Sequence, residues 1–159
     1  MRHGPLFAIV WLLIGMALMG IITWVAMPSV MLVKRPSPHG YDETVAMLSQ
    51  ALAAKPDWRV LTVNDYQKST EPFGAIEPTG SINICNPRYA SRILANDVDR
   101  GVTAFMPLAI GVYQDRNGQV YVARLNVGLL GRMFGGTIAE VMGAAGGDLQ
   151  DTIASVTSD

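Results

Sequence analysis

Cys85 is the only cysteine in the sequence, and its position makes it the first candidate for chemistry. It ends the predicted strand 81–85 and precedes Asn86-Pro87, a pair typical of a helix N-terminus, where a thiolate is stabilised. A thiolate beside the thioether of Met106 would suit Cu(I) or haem iron. The alternative, which the pattern favours, is that Cys85 and Met106 are apolar side chains that pack in the core.

A second set of candidates is polar and follows the predicted strand 58–63. Asp65 and Lys68 could line a ligand pocket together with Asn86, or they could be solvated loop residues and helix caps. Neither set includes a histidine, because the two histidines, His3 and His39, flank the apolar N-terminal segment. General acid–base or Ser-His-Asp catalysis therefore has no suitable residues, and the sequence predicts a protein that is not an enzyme.

Composition excludes several classes of partner. The chain has 159 residues, 12 basic and 13 acidic, so its net charge is -1. It lacks the basic field that nucleic-acid binding requires, and we expect no nucleic-acid partner. A single cysteine excludes an internal disulfide and a cysteine-rich metal cluster, so no cofactor follows from composition alone.

An uncharged apolar run occupies residues 5–27. A helix needs about 20 apolar residues to cross a bilayer, and the run is long enough. Trp11 and Trp24 lie toward its two ends, where aromatic rings favour the membrane interface. A cleaved signal would have a shorter apolar core of about 7–15 residues. The sequence therefore predicts a single-pass membrane protein whose residues 1–30 form an anchor in the lipid bilayer.

The charges around the anchor leave its orientation nearly balanced. Arg2 and the amino terminus lie on one side, and Lys34 and Arg35 lie on the other. The positive-inside rule does not decide between them. We expect a periplasmic or otherwise extracytoplasmic domain, which is the usual arrangement in bacterial proteins of this build.

Residues 31–159 are predicted to form one α+β domain. The predicted elements are strand 31–36, helix 43–54, strands 58–63 and 81–85, helix 88–95, strands 104–113 and 119–127, and helices 128–142 and 149–156. Asp42 is the predicted N-cap of the first helix, and breaks are expected at Gly135-Gly136 and Gly146-Gly147. An Asp-Arg-Asn-Gly turn at 115–118 predicts a hairpin. Antiparallel strands flanked by helices indicate α+β rather than α/β architecture.

Five short segments follow one another in a specific order and spacing. They are Tyr41-Asp42-Glu43-Thr44, Ile84-Cys85-Asn86-Pro87-Arg88-Tyr89-Ala90, Phe105-Met106-Pro107, Asn126-Val127-Gly128-Leu129-Leu130 and Phe134-Gly135-Gly136. In these segments the chain resembles the DUF302 family, and in particular its membrane-anchored branch. The resemblance implies a β-α-β4-α fold, similar to the TATA-binding-protein class, and a homodimer. It implies no activity, and likeness of fold to a DNA-binding protein does not indicate DNA binding.

The chain departs from the family pattern at two positions. Leu108 stands where related sequences commonly have cysteine after Met-Pro, and Asn64 stands where they often have histidine. If those residues form a metal or redox site in relatives, this chain has lost half of it.

The segment 128–142 is apolar and carries only Arg132 and Glu140 as charges. It either packs against the sheet or forms an exposed patch that needs a partner. That partner could be a second copy, the membrane surface or another membrane protein. The favoured hypothesis is a membrane-anchored, non-enzymatic binding or accessory module. The alternative is a redox, soft-metal or haem-handling protein that uses Cys85 and Met106.

Overall fold

The first element of the chain is a long apolar helix. The computed structural model describes residues 4–158, and in it α1 (Pro5–Met31) extends beyond the predicted run as far as Met31. Within its segment Ile9–Met31, an 18-residue window has a mean hydropathy of 2.3, and no residue of that window is buried. By length and composition, α1 can cross a membrane. Arg2 and His3 lie outside the described residues.

Five antiparallel strands form one open sheet. They are β1 (Leu32–Ser37), β2 (Arg59–Asp65), β3 (Thr79–Cys85), β4 (Leu108–Gln114) and β5 (Val120–Leu125). Their order in the sheet is β1-β5-β4-β3-β2, so β1 and β2 are the edge strands. The predicted hairpin joins β4 to β5. The Asp115 carboxylate accepts the N–H groups of Asn117 and Gln119 at 2.9 Å each and so holds the turn.

The helices that follow α1 are α2 (Tyr41–Ala54), α3 (Tyr66–Thr70), α4 (Pro87–Leu94), α5 (Val127–Phe134) and α6 (Gly136–Thr157), with 3-10 segments at Glu71–Phe73 and Asp97–Phe105. All but α3 pack on one face of the sheet. The Tyr66 hydroxyl of α3 meets the Ser81 hydroxyl at 2.8 Å, on the opposite face from Ile82. Leu48 and Leu52 of α2 recur at helical spacing and pack with Leu149 and Ile153 of α6. This helical layer covers the inward side chains Ile82, Ile84, Ile110, Val112, Val120 and Val122.

A second apolar cluster joins α4, α5 and α6. Its buried members are Ile93, Val102, Val127, Ile138, Val141 and Met142. The predicted apolar segment 128–142 is therefore divided between core and surface. Met142 is 6% exposed, whereas Met133 is 73% exposed and Phe134 is 49% exposed.

The α+β prediction is confirmed, while several element boundaries differ. The N-cap of α2 is Gly40 rather than Asp42. Met106 precedes β4 instead of lying in a strand, because residues 97–105 form a 3-10 helix. The expected break at Gly146-Gly147 is absent, and α6 continues through it. A Cβ at Gly146 would lie 3.2 Å from the backbone nitrogen of Gly128, so this glycine permits close packing of α5 on α6.

The strand register gives the sheet two distinct ends. At one end lie Leu32, Leu125, Leu108, Ile84, Cys85 and Arg59, and at the other lie Ser37, Val120, Gln114, Thr79 and Asp65. Because β1 follows α1 without a linker, we call the first the anchor end and the second the distal end.

Candidate functional site

A small cavity at the anchor end is lined by three of the predicted site residues. Cys85, Asn86 and Met106 contribute to a cavity of about 50 Å³. Most of the other lining side chains are apolar, among them Ile93, Val102, Phe105, Val141 and Met142. A space of this size has room for a few water-sized groups.

Cys85 lies at a genuine helix start, as predicted. It is the half-buried last residue of β3, and Asn86 is the N-cap of α4. The Asn86 Oδ1 accepts the N–H groups of Arg88 at 3.0 Å and Tyr89 at 3.1 Å. Such a cap stabilises a helix by about 1 kcal/mol, so capping accounts for the side chain of Asn86.

Two methionines line the cavity together with Cys85. Met106 was predicted from its place in the sequence, whereas Met142 of α6 was not. Met142 falls at helical spacing with Ile138, which indicates a buried helix face but not the neighbours of that face. Leu108, where related sequences commonly have cysteine, lines the same cavity and pairs with Ile84.

Asp65 and Lys68 lie at the distal end and do not reach this cavity. Asp65 pairs with Gly80 near the beginning of β3, whereas Cys85 ends that strand. The Asp65 Oδ1 accepts the Lys68 N–H at 2.9 Å and caps α3. Asn64 is also distal, where its amide donates to the Ser81 hydroxyl at 3.1 Å. The two departures from the family pattern, at Asn64 and Leu108, therefore lie at opposite ends of the sheet.

Asp148 organises a polar groove beside the cavity. Its Oδ2 accepts the indole N–H of Trp58 and the hydroxyl of Tyr89, both at 3.1 Å. Its backbone oxygen accepts the Lys55 ammonium at 2.9 Å. Burial, followed by the hydrogen bond to Asp148 and its charge, raises the pKa of Tyr89 above the ordinary value.

The rings of Trp58 and Tyr89 separate the groove from the cavity. They meet edge to face with centroids 6.1 Å apart, and both residues line both spaces. The groove encloses about 690 Å³, and its charged lining residues are Lys55, Asp57, Arg88, Arg92 and Asp148. Sequence reasoning missed this site, because its residues come from three separate parts of the chain, 55–58, 86–92 and 148, and no local pattern connects them.

Asn126 ties α1 to the domain. Its backbone N–H donates to the Met31 carbonyl at 2.8 Å, and its side-chain amide donates to the Val30 carbonyl at 3.2 Å. Its Oδ1 accepts the Leu129 N–H at 3.2 Å and caps α5. Asn126 thus donates hydrogen bonds to carbonyls at the end of α1 and is also the N-cap of α5. These bonds connect the domain to the end of the apolar helix.

The donor groups restrict what the site could bind. Among residues 4–158, no group of three or more His, Cys, Asp and Glu side chains is placed to hold a metal ion. The residues that line the cavity include one cysteine and two methionines, whose side chains carry soft sulfur donors.

These features define an α+β domain with helices on one face of an open antiparallel sheet, preceded by an apolar helix. The chain belongs to the family described as domain of unknown function DUF302, which matches residues 33–156. The match begins just after α1 ends at Met31.

A solved structure agrees with this assignment. The crystal structure of an uncharacterized conserved DUF302 protein from Bacillus stearothermophilus is similar, with a TM-score of 0.71 and 21% sequence identity. The similarity covers 80% of this chain and 99% of that one, and at this identity it shows the fold. A comparison with curated proteins gives no match.

Proposed function

We propose that this chain is a single-pass membrane protein whose DUF302 domain is a non-enzymatic binding or accessory module. The proposal rests on one observation: an exposed apolar helix is joined to the domain by two hydrogen bonds from Asn126. Trp24 is 83% exposed and Val25 is 72% exposed, which is unfavourable in water and favourable in hydrocarbon. The ligand-contacting part would be the cavity at the anchor end.

The extracytoplasmic location of the domain is part of this proposal. Arg2 precedes α1 while Lys34 and Arg35 follow it, so basic residues flank both ends and the charges permit export of the domain. Alkaline phosphatase fused after residue 159 should be active in bacteria, and a fluorescent protein that matures only in the cytoplasm should be dark. The opposite pair of results would place the domain inside.

The open face of the sheet supports the proposed homodimer or contact with another membrane protein. In the middle of this face the residues Ala109, Gly111 and Ala123 are small, and they pair with Asn83, Ser81 and Lys34. Tyr113 and Tyr121 stack beside them with centroids 5.4 Å apart. Tyrosine is enriched in protein contacts, so this pair favours such a contact here.

Native mass spectrometry of the full chain in nanodiscs tests the binding module directly. We expect a dimer, and any ligand that copurifies would appear as added mass. Extraction of membranes at alkaline pH is the accompanying control for the anchor. Release of the chain into the supernatant would contradict membrane anchoring, and a monomer would contradict the homodimer.

A soft-metal protein is the second candidate function, and Met142 is the observation that favours it. With Cys85 and Met106 it brings three sulfur-containing side chains to one cavity, and such donors select Cu(I). A space of about 50 Å³ suits an ion far better than a haem macrocycle.

Titration of the full chain with Cu(I) against a chromogenic chelator tests this alternative. Cys85→Ser should abolish binding, and Met142→Leu should weaken it. Met133→Leu is the matched control, because Met133 is 73% exposed and does not line the cavity. Equal Cu(I) affinity in all four proteins, including the unmodified one, would exclude the sulfur site.

A further inference from the structure

Exposed apolar side chains form one continuous patch at the anchor end of the domain. We call it the anchor-end patch, and its members are Leu32, Phe105, Leu125, Met133 and Phe134. Leu32 pairs with Leu125, and both line a cleft of about 410 Å³ together with Phe105. Phe105 in turn meets Phe134 edge to face, with centroids 5.9 Å apart. Apart from Met133, which precedes Phe134 in α5, these residues are neighbours in pairs rather than scattered single residues.

The patch lies close to the point where α1 ends. Met31 is the last residue of the apolar segment and accepts the hydrogen bond from Asn126, the N-cap of α5. Helix α5 has 8 residues, so its far end is within about 12 Å of that point at 1.5 Å per residue. The headgroup region adds about 5–8 Å on each side of the hydrocarbon. With α1 in a bilayer, α5 therefore lies in or against the headgroups.

Charge is distributed in the way that an anionic lipid surface would favour. Residues 28–35, 104–109 and 124–136 border the patch and include four basic residues, Lys34, Arg35, Arg124 and Arg132. The acidic residues nearest to the patch along the chain include Asp97 and Glu140, which form ion pairs with Arg100 and Arg92 at 2.8 Å and 2.7 Å. Of the 13 acidic residues, six belong to elements and turns at the distal end, namely Asp42, Glu43, Asp65, Glu71, Glu77 and Asp115. A basic surface near a membrane is attracted to anionic lipids.

We propose that the anchor-end patch is a second membrane contact, which inserts Phe105, Met133 and Phe134 into the interface of the same bilayer that holds α1. The inference rests on the proposed function, since it requires α1 to span the membrane. Arg132, in the last turn of α5 beside Met133, binds anionic headgroups. Burial of the exposed aromatic and thioether side chains in the interface supplies the apolar part of the binding free energy.

Spin labels on the full chain test this contact. In a Cys85→Ser background, Phe134→Cys and Met133→Cys carry the label in the patch. Phe73→Cys is the matched control, because Phe73 is 91% exposed and lies in the segment that follows β2 and α3 at the distal end. A label at Leu18→Cys reports on α1. The measured quantity is collision with oxygen, which concentrates in lipid, relative to a water-soluble nickel chelate.

We expect labels at positions 134 and 133 to favour oxygen, as the label at 18 does, while the label at 73 favours nickel. Met133 is highly exposed, so Met133→Cys keeps the test valid if Phe134→Cys destabilises the domain. In vesicles with anionic lipid, adding Arg132→Gln should lower the ratio of inserted to free patch about fivefold. No change would exclude the headgroup contact.

The other outcomes separate this inference from the proposed function. A label at 18 that favours nickel would overturn the anchor itself. A lipid-embedded label at 18 with water-exposed labels at 133 and 134 would overturn only the second contact. Labels at 133 and 134 that are shielded from both reagents and show dipolar broadening would assign the patch to a second copy of the chain.

Discussion

Replacing Asp148 by alanine should destabilise the domain strongly, because one carboxylate oxygen serves two donors. The Trp58 indole N–H and the Tyr89 hydroxyl both donate to its Oδ2 at 3.1 Å. Trp58 is only 5% exposed, so water cannot easily replace the lost acceptor, whereas Tyr89 is less buried. A hydrogen bond to a charged group contributes about 1.5–3 kcal/mol, and a buried donor left unpaired costs about 1–3 kcal/mol. We therefore expect Asp148→Ala to lower the free energy of unfolding by about 2–4 kcal/mol.

Thermal unfolding of the full chain in detergent, followed by circular dichroism, measures this effect. For a domain of this size, a loss of about 3 kcal/mol lowers Tm by roughly 10 °C. Asp148→Asn keeps an oxygen acceptor and should lose about half as much. Asp151→Ala is the matched control, because Asp151 is exposed and lies one turn further along α6. Equal Tm values for Asp148→Ala and Asp151→Ala would refute the assignment of Asp148 as the organising acceptor.

Two further predictions concern pH and backbone packing. The folded state raises the pKa of Tyr89 above 10.0, so between that value and the folded pKa the folded chain keeps a proton that the unfolded chain releases. The free energy of unfolding should therefore fall as pH rises through this range, and Tyr89→Phe should reduce that fall. Urea unfolding at about pH 9 and about pH 11 measures the effect. The same pH dependence in Tyr89→Phe as in the unmodified chain would contradict this role of Tyr89. In β3, a Cβ at Gly80 would collide with the Asn64 carbonyl and the Tyr41 hydroxyl. Gly80→Ala should therefore cost about 2 kcal/mol or more in the same urea experiment. Gly101→Ala, which meets open space, should be nearly neutral, and equal losses for both variants would refute this packing argument.

Periodic apolar patterns made much of the fold predictable. Leu48 and Leu52 at helical spacing predicted α2, and the Asp115 turn predicted the β4–β5 hairpin. The pattern failed where a glycine has a packing role. Gly146 was expected to end a helix, but it lies against the backbone of Gly128. Only the packed α5–α6 pair shows that this position requires a residue without a side chain. The local sequence around a close contact does not contain the second partner.

The candidate site was predictable only in its local part. Asn86-Pro87 indicated a helix start, and α4 begins there and places Cys85 at its N-terminus. The contributions of Met142 and Asp148 depend on where α6 crosses the sheet, which is a long-range property. For the same reason, Asp65 was expected near Asn86 but lies at the distal end, since the β2–β3 pairing separates them.

The direct junction between α1 and β1 restricts how partners can meet this domain. A tethered domain on a flexible linker explores a hemisphere above its membrane and captures targets from bulk solution. Here no linker separates α1 from β1, and Asn126 donates two hydrogen bonds to the end of α1, which restricts the height and tilt of the domain relative to that helix. With α1 in a bilayer, the anchor end of the domain meets its partners by two-dimensional diffusion among molecules in the same leaflet. The fraction of domains with a bound partner then depends mainly on the local concentration of that partner rather than on intrinsic affinity.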